Sequence, residues 1–185
     1  LPAAWATRSA AGAIRQRVRV GTYAGTLDTY LGLGLSRGSV LPGADPRVTM
    51  GSLKIISDGS LNTRTAWCCA PYVDRPDGGV GAPNLSADEL HDLLTRATEG
   101  GLDVATHAIG DRAVSEVLDA YEATGARGSV EHAQLMKRED VPRLAALGLR
   151  ASVQPHHLID DRGVTDVCWS DRADRCFMFR TMLDA

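Results

Sequence analysis

Apolar residues along this chain recur with two different periods, and the periods take turns. Residues 17–23 alternate around Val18 and Val20 and predict a strand, as do residues 48–56. Ser86-Ala87-Asp88-Glu89 is a capping box, in which Ser86 accepts from an early N–H and Glu89 reaches back. Leu90, Leu93, Leu94 and Ala97 then form one apolar face, and Gly100-Gly101 stops the helix. Residues 102–107 predict a strand. A helix opens at Asp111, lines up Val114, Val117, Leu118 and Tyr121, and stops at Gly125. Residues 128–132 and 149–154 predict strands, with a helix over 138–147 between them that Gly148 ends. Ala-rich residues 1–15 read as the tail of a helix, residues 28–35 as a short helical stretch and 171–185 as a final helix. The Gly- and Pro-bearing segment 58–83 is too long for an ordinary connection and reads as a functional loop or lid.

Strands alternating with helices over short connections are the signature of parallel βαβ units, hence the α/β class. Such a sheet can close as a barrel or stay open. No GxGxxG follows a strand and no Walker-type loop exists, so dinucleotide and P-loop chemistry lack their motifs.

Composition narrows the picture. The chain has 185 residues, 44% apolar and 23% charged, with a net charge of -3. That suits one globular domain over residues 1–185 and excludes disorder. Near-balanced charge argues against nucleic acid, and no apolar run reaches the roughly 20 residues of a membrane span. The 4 cysteines include no CxxC pair and read as reduced, mostly packed thiols in a cytoplasmic protein without a signal peptide. Leu1 is not an initiator Met, and Ala185 falls inside a helical pattern without a C-cap; both ends are expected to be cut. Of 20 basic residues only Lys54 and Lys137 are lysines, so a lysine within a strand stands out.

Polar groups recur where predicted strands end: Lys54 to Asp58, His107, His132 and Gln154. In parallel α/β folds, and above all in (β/α)8 barrels, that rim carries the active site. Alternation puts His107 opposite Leu102 and Val104, and Gln154 opposite Leu149, Ala151 and Val153; His132 shares its parity with Val130. Neutral imidazoles ligate zinc, cobalt, nickel or iron. A lysine joins them only when deprotonated or converted by carbon dioxide to a carbamate, an anionic group that could bridge two cations.

Four motifs occur in order: Lys54-Ile55-Ile56-Ser57-Asp58-Gly59-Ser60-Leu61, His107-Ala108-Ile109-Gly110-Asp111-Arg112-Ala113, Glu131-His132-Ala133-Gln134 and Ser152-Val153-Gln154-Pro155-His156-His157. With these the chain resembles amidohydrolase family 3 of the metal-dependent hydrolase superfamily, the group similar to N-substituted formamide deformylases. The resemblance covers about residues 17 to 185. It implies a (β/α)8 TIM barrel, here a partial barrel of roughly strands three to seven. It implies hydrolysis of an amide- or formamide-type C–N bond of a small molecule by metal-activated water. Lys54 would be the carboxylated bridging lysine, and His107 and His132 the metal-binding histidines of the fifth and sixth strands. The implied cofactor is a divalent metal, zinc, as one or two ions. Asp58, Gln154 and His157 match motif positions beside the pocket and are candidates for substrate contact; Asp111 reads as a helix cap, with a hydrogen bond to a ligand as the alternative.

The family's first-strand His-x-His and its aspartate after the eighth strand are absent. A parent enzyme with an inactive fragment here is one reading; a non-catalytic α/β binding or assembly module is the other. Open strand edges would favour a homo-oligomer. Taken singly, Lys54 reads as a snorkelling surface lysine, His156 and His157 as loop surface residues, His91 as the polar side of a helix and Asp160-Asp161 as a solvated turn. Trp67 and Tyr72 could line a pocket or pack, and Cys68-Cys69 reads as incidental. A serine or cysteine hydrolase is disfavoured, since no G-x-S-x-G elbow occurs.

Overall fold

The computed structural model describes residues 2–185. Leu1, part of the helical reading of the first fifteen residues, lies outside them; Pro2–Ala10 form α1, while residues 11–15 leave the helix as a turn and irregular backbone. Five strands follow: β1 (Val18–Tyr23), β2 (Val48–Ile56), β3 (Val104–Ala108), β4 (Gly128–His132) and β5 (Arg150–Ser152). They form one sheet, in chain order and parallel throughout. Doubly wound sheets reverse their order part-way; an unreversed order is that of a barrel wall.

The crossovers are local sequence devices. Short helix α2 (Leu27–Gly32) follows β1, and α3 (Ala87–Glu99) leads into β3. Both halves of the capping box form, with the Ser86 N–H donating to Glu89 at 2.8 Å and the Glu89 N–H donating to Ser86 Oγ at 3.2 Å. Helix α4 (Asp111–Thr124) stops where Gly125 turns left-handed, at φ 63°. Leu90, Leu94, Val114, Val117 and Leu118 bury against Leu53, Ile55, Val104 and Val130 on one face of the sheet. Such burial is worth roughly 1.5–3 kcal/mol per large side chain and dominates the stability.

Differences from expectation cluster in the last third. Residues 138–147 split into a 3-10 turn (Arg138–Asp140) and α5 (Val141–Ala146). Strand β5 stops at Ser152, and Pro155 opens α6 (Pro155–Asp160), followed by α7 (Arg162–Cys168). The expected helix over 171–185 is broken into a 3-10 turn (Ala173–Arg175) and α8 (Phe179–Asp184). Tertiary hydrogen bonds win there. Buried Arg172 donates to the carbonyls of Ala70 and Pro71, the Phe177 N–H donates to the Gln134 carbonyl at 2.8 Å, and Phe177 turns left-handed at φ 52°.

Segment 58–83 is no loose cover. Leu61, Ala66, Cys68 and Tyr72 join Ile109, Leu135, Cys168 and Trp169 in a second apolar core above the strand ends. Tyr72 stacks on Trp169 with ring centroids 5.8 Å apart and donates to the Ala66 carbonyl at 2.7 Å. Trp67 lies under the Arg112 guanidinium at 4.5 Å.

Candidate functional site

Strand register decides which side chains share a surface. Lys54, Ala105, Ser129 and Arg150 pair in one row, and Ile56, His107, Glu131 and Ser152 in the next but one. The row between holds Ile55, Thr106, Val130 and Ala151, and Thr106 meets Tyr121 of α4 at 3.1 Å. That row therefore faces the helices, and the Lys54 and His107 rows face away from them, toward the inside of the barrel wall.

His132 breaks the pattern. By parity it belongs with Val130 on the helix side, yet its ring lies edge-on to His107 with centroids 4.6 Å apart. Its backbone explains this: φ is 72° at His132 and 45° at Ala133, so the strand's alternation ends there. A left-handed non-glycine residue costs about 1–3 kcal/mol, and such outliers concentrate at functional sites. Parity alone points instead to Glu131, which the sequence reading passed over. It stands beside His107 in register, accepts from Ser129 Oγ at 2.5 Å and acts on Lys54. The Ser129-x-Glu131 spacing was the available signal, but the register that gives it meaning is not in the sequence.

Burial disfavours charge on two of these groups. Burial lowers the Lys54 pKa, opposed by the Glu131 carboxylate. Burial also lowers that of His132; His107 and Lys54 push the same way, while Gln154 opposes them. The His107 Nε2–H donates to the Gly59 carbonyl at 3.0 Å, with Asp58 Oδ1 at 3.3 Å. With Nε2 so engaged, Nδ1 is the ring atom free to bind a cation.

The remaining candidates divide. His157 stands edge-on to His132 at 6.0 Å, its Nδ1 at 3.2 Å from Asp161. Asp161 is buried, against the expectation of a solvated turn, because Asn62 and Gln134 both donate to it. Gln154 lies beyond the end of β5, where its amide donates to the Ser152 carbonyl at 3.0 Å. Asp58 has 0% exposure and its oxygens accept from the N–H groups of Trp67, Ile109 and Gly110 at 2.9–3.1 Å. Asp111 is not the helix cap; Gly110 is, and Asp111 instead accepts from the Cys69 N–H and from Arg175. The structure thus brings Lys54, His107, His132 and His157 to one rim and puts Asp58 beneath it.

Buried thiols offer no nucleophile. Burial pushes Cys68 and Cys176 up to about 12, and all four cysteines are free. Two cavities lie aside from the histidine pair. One of about 160 Å³ sits between the long loop, α3 and α4, and one of about 400 Å³ runs along α6 and α7; neither is lined by Lys54, His107 or His132.

Among the described residues no cluster of three or more His, Cys, Asp or Glu is arranged to hold a metal ion. Two adjacent imidazoles, one pushed toward its neutral form and the other with a ring nitrogen free, fit as part of a ligand set.

An unreversed parallel sheet with an imidazole pair and a lysine on its rim has the layout of a metal-dependent hydrolase barrel. The amidohydrolase family pattern matches residues 3–185, and the chain belongs to that family. It is 34% identical over 168 residues to the Protein LONG AFTER FAR-RED 3 of Arabidopsis thaliana, covering 86% of this chain and 28% of that protein. It is 30% identical over 147 residues to the N-substituted formamide deformylase of Arthrobacter pascens, covering 73% of this chain and 26% of that protein. The crystal structure of an uncharacterized metal-dependent hydrolase from Pyrococcus furiosus superposes with a TM-score of 0.86 at 31% identity, covering 96% of this chain and 37% of that one. The chain thus spans between 26% and 37% of the length of these relatives.

Proposed function

We propose that this chain is a segment of a larger hydrolase barrel that cleaves an amide- or formamide-type C–N bond in a small molecule. The supporting observation is the His107–His132 pair, 4.6 Å between ring centroids, on the rim beside half-buried Lys54. Lys54, His107 and His132 would hold a divalent ion, zinc being the natural match for imidazole with oxygen donors. Such an ion lowers the pKa of water and polarises a carbonyl. Glu131 would steady the Lys54 amine when it is charged, and carboxylation of that amine would add an anionic oxygen donor. His157, reached through His132 and fixed by Asp161, would face the substrate, and Gln154 would offer its amide to the same side. The relative named as an N-substituted formamide deformylase motivates the choice of bond. No described helix is long and apolar enough to cross a membrane, and free thiols suit a reducing compartment, in line with a cytoplasmic enzyme.

The test uses the full-length protein, N-formylated amines and simple amides. Chelation should abolish hydrolysis, zinc should restore it, and His107→Ala should lower kcat/KM by 100-fold or more. Hydrolysis that survives both chelation and His107→Ala would overturn the proposal.

A further inference from the structure

We infer that Asp58 is a positioning residue for His107, not a substrate contact: with Gly59 it fixes the ring so that Nε2 carries the proton and Nδ1 is presented to the rim. The inference rests on the proposed role of His107 as a metal ligand.

The geometry is a cradle built by three successive residues at the end of β2. The Ser57 N–H and Oγ both donate to the His107 carbonyl, at 3.1 and 2.5 Å. The Gly59 carbonyl accepts from His107 Nε2 at 3.0 Å, and Asp58 Oδ1 lies 3.3 Å from the same nitrogen. Two acceptors and no donor face Nε2, so the neutral ring keeps its proton there and leaves the Nδ1 lone pair bare. Asp58 cannot swing away, because Ile109 occupies its Oδ1 while Gly110 and Trp67 occupy its Oδ2. Those three N–H groups come from the turn after β3 and from the long loop, so one carboxylate ties both segments around the imidazole. Nothing bulkier than glycine fits the cradle: a Cβ on Gly59 would lie 1.9 Å from Thr65 Oγ1, and one on Gly110 2.0 Å from the Trp67 carbonyl. With no exposed surface, Asp58 has no route to a substrate.

Two measurements on the full-length protein test this. The first is nitrogen-15 NMR of histidine-labelled, metal-free wild type in mildly alkaline buffer. His107 should show the Nε2–H tautomer; a proton on Nδ1 would overturn the inference. The second is Asp58→Asn, which keeps the shape but sets an amide against backbone donors. Affinity for zinc alone and kcat should fall about 10–100-fold with KM little changed, and the His107 tautomer should become mixed. A raised KM at unchanged kcat would instead make Asp58 a substrate contact. Should Asp58→Asn fail to fold, the wild-type tautomer decides. Protein with the expected tautomer but no affinity for zinc would sink the hydrolase proposal and leave the positioning role standing; the opposite tautomer with zinc bound would do the reverse.

Discussion

The two faces of the sheet come from the same five strands, yet they are built for different ends. The helix-side face carries Leu53, Ile55, Val104, Thr106 and Val130, all nearly inaccessible and closed over by α3 and α4. The opposite face carries Lys54, His107, Glu131 and Arg150, partly open and polar. Alternation alone produces this division, since successive side chains point opposite ways. The helix side supplies stability, while the rim holds half-desolvated polar groups and a strained backbone at His132, which cost stability.

Substitutions can break that contrast, and their effects on stability should fall in order. Gly128→Ala should be the largest. The added Cβ would lie 1.7 Å from the Val104 carbonyl at φ 155°, so a loss of about 4 kcal/mol or more, seen as failure to fold by circular dichroism, is expected. Leu118→Ala, in the helix-side core, should cost about 2–5 kcal/mol in urea titration and leave kcat per folded molecule unchanged. Ser86→Ala removes one half of the capping box, and a loss of about 1 kcal/mol is expected in the same titration. His107→Ala should change stability least, by no more than about 1 kcal/mol, while removing the chemistry. A His107 variant that loses several kcal/mol, or a Leu118 variant with impaired kcat, would show that the two faces are not separable.

The fold was legible where local chemistry decides it. The Ser86–Glu89 box and the stop at Gly125 announce α3 and α4 without help from the rest of the chain. The final third was not, because Arg172 and Phe177 take their partners from segments some hundred and some forty residues away. The order of the four motifs singles out His107 and His132 as candidates, but not how His132 reaches the rim, since a left-handed φ at a histidine leaves no mark in the sequence. Glu131 was hidden for the converse reason: its place follows from register with His107. Asp58 was visible as a motif residue, but only the three N–H groups around it reveal its buried setting.

In the proposed site two strand ends bring His107 and His132 to a shared cation. An anomalous-difference map from crystals of the zinc-loaded full-length protein tests it directly. A peak is expected about 2.0–2.1 Å from His107 Nδ1 and at a similar distance from a His132 ring nitrogen. Zinc bound away from both rings, or at His107 Nε2, would contradict it.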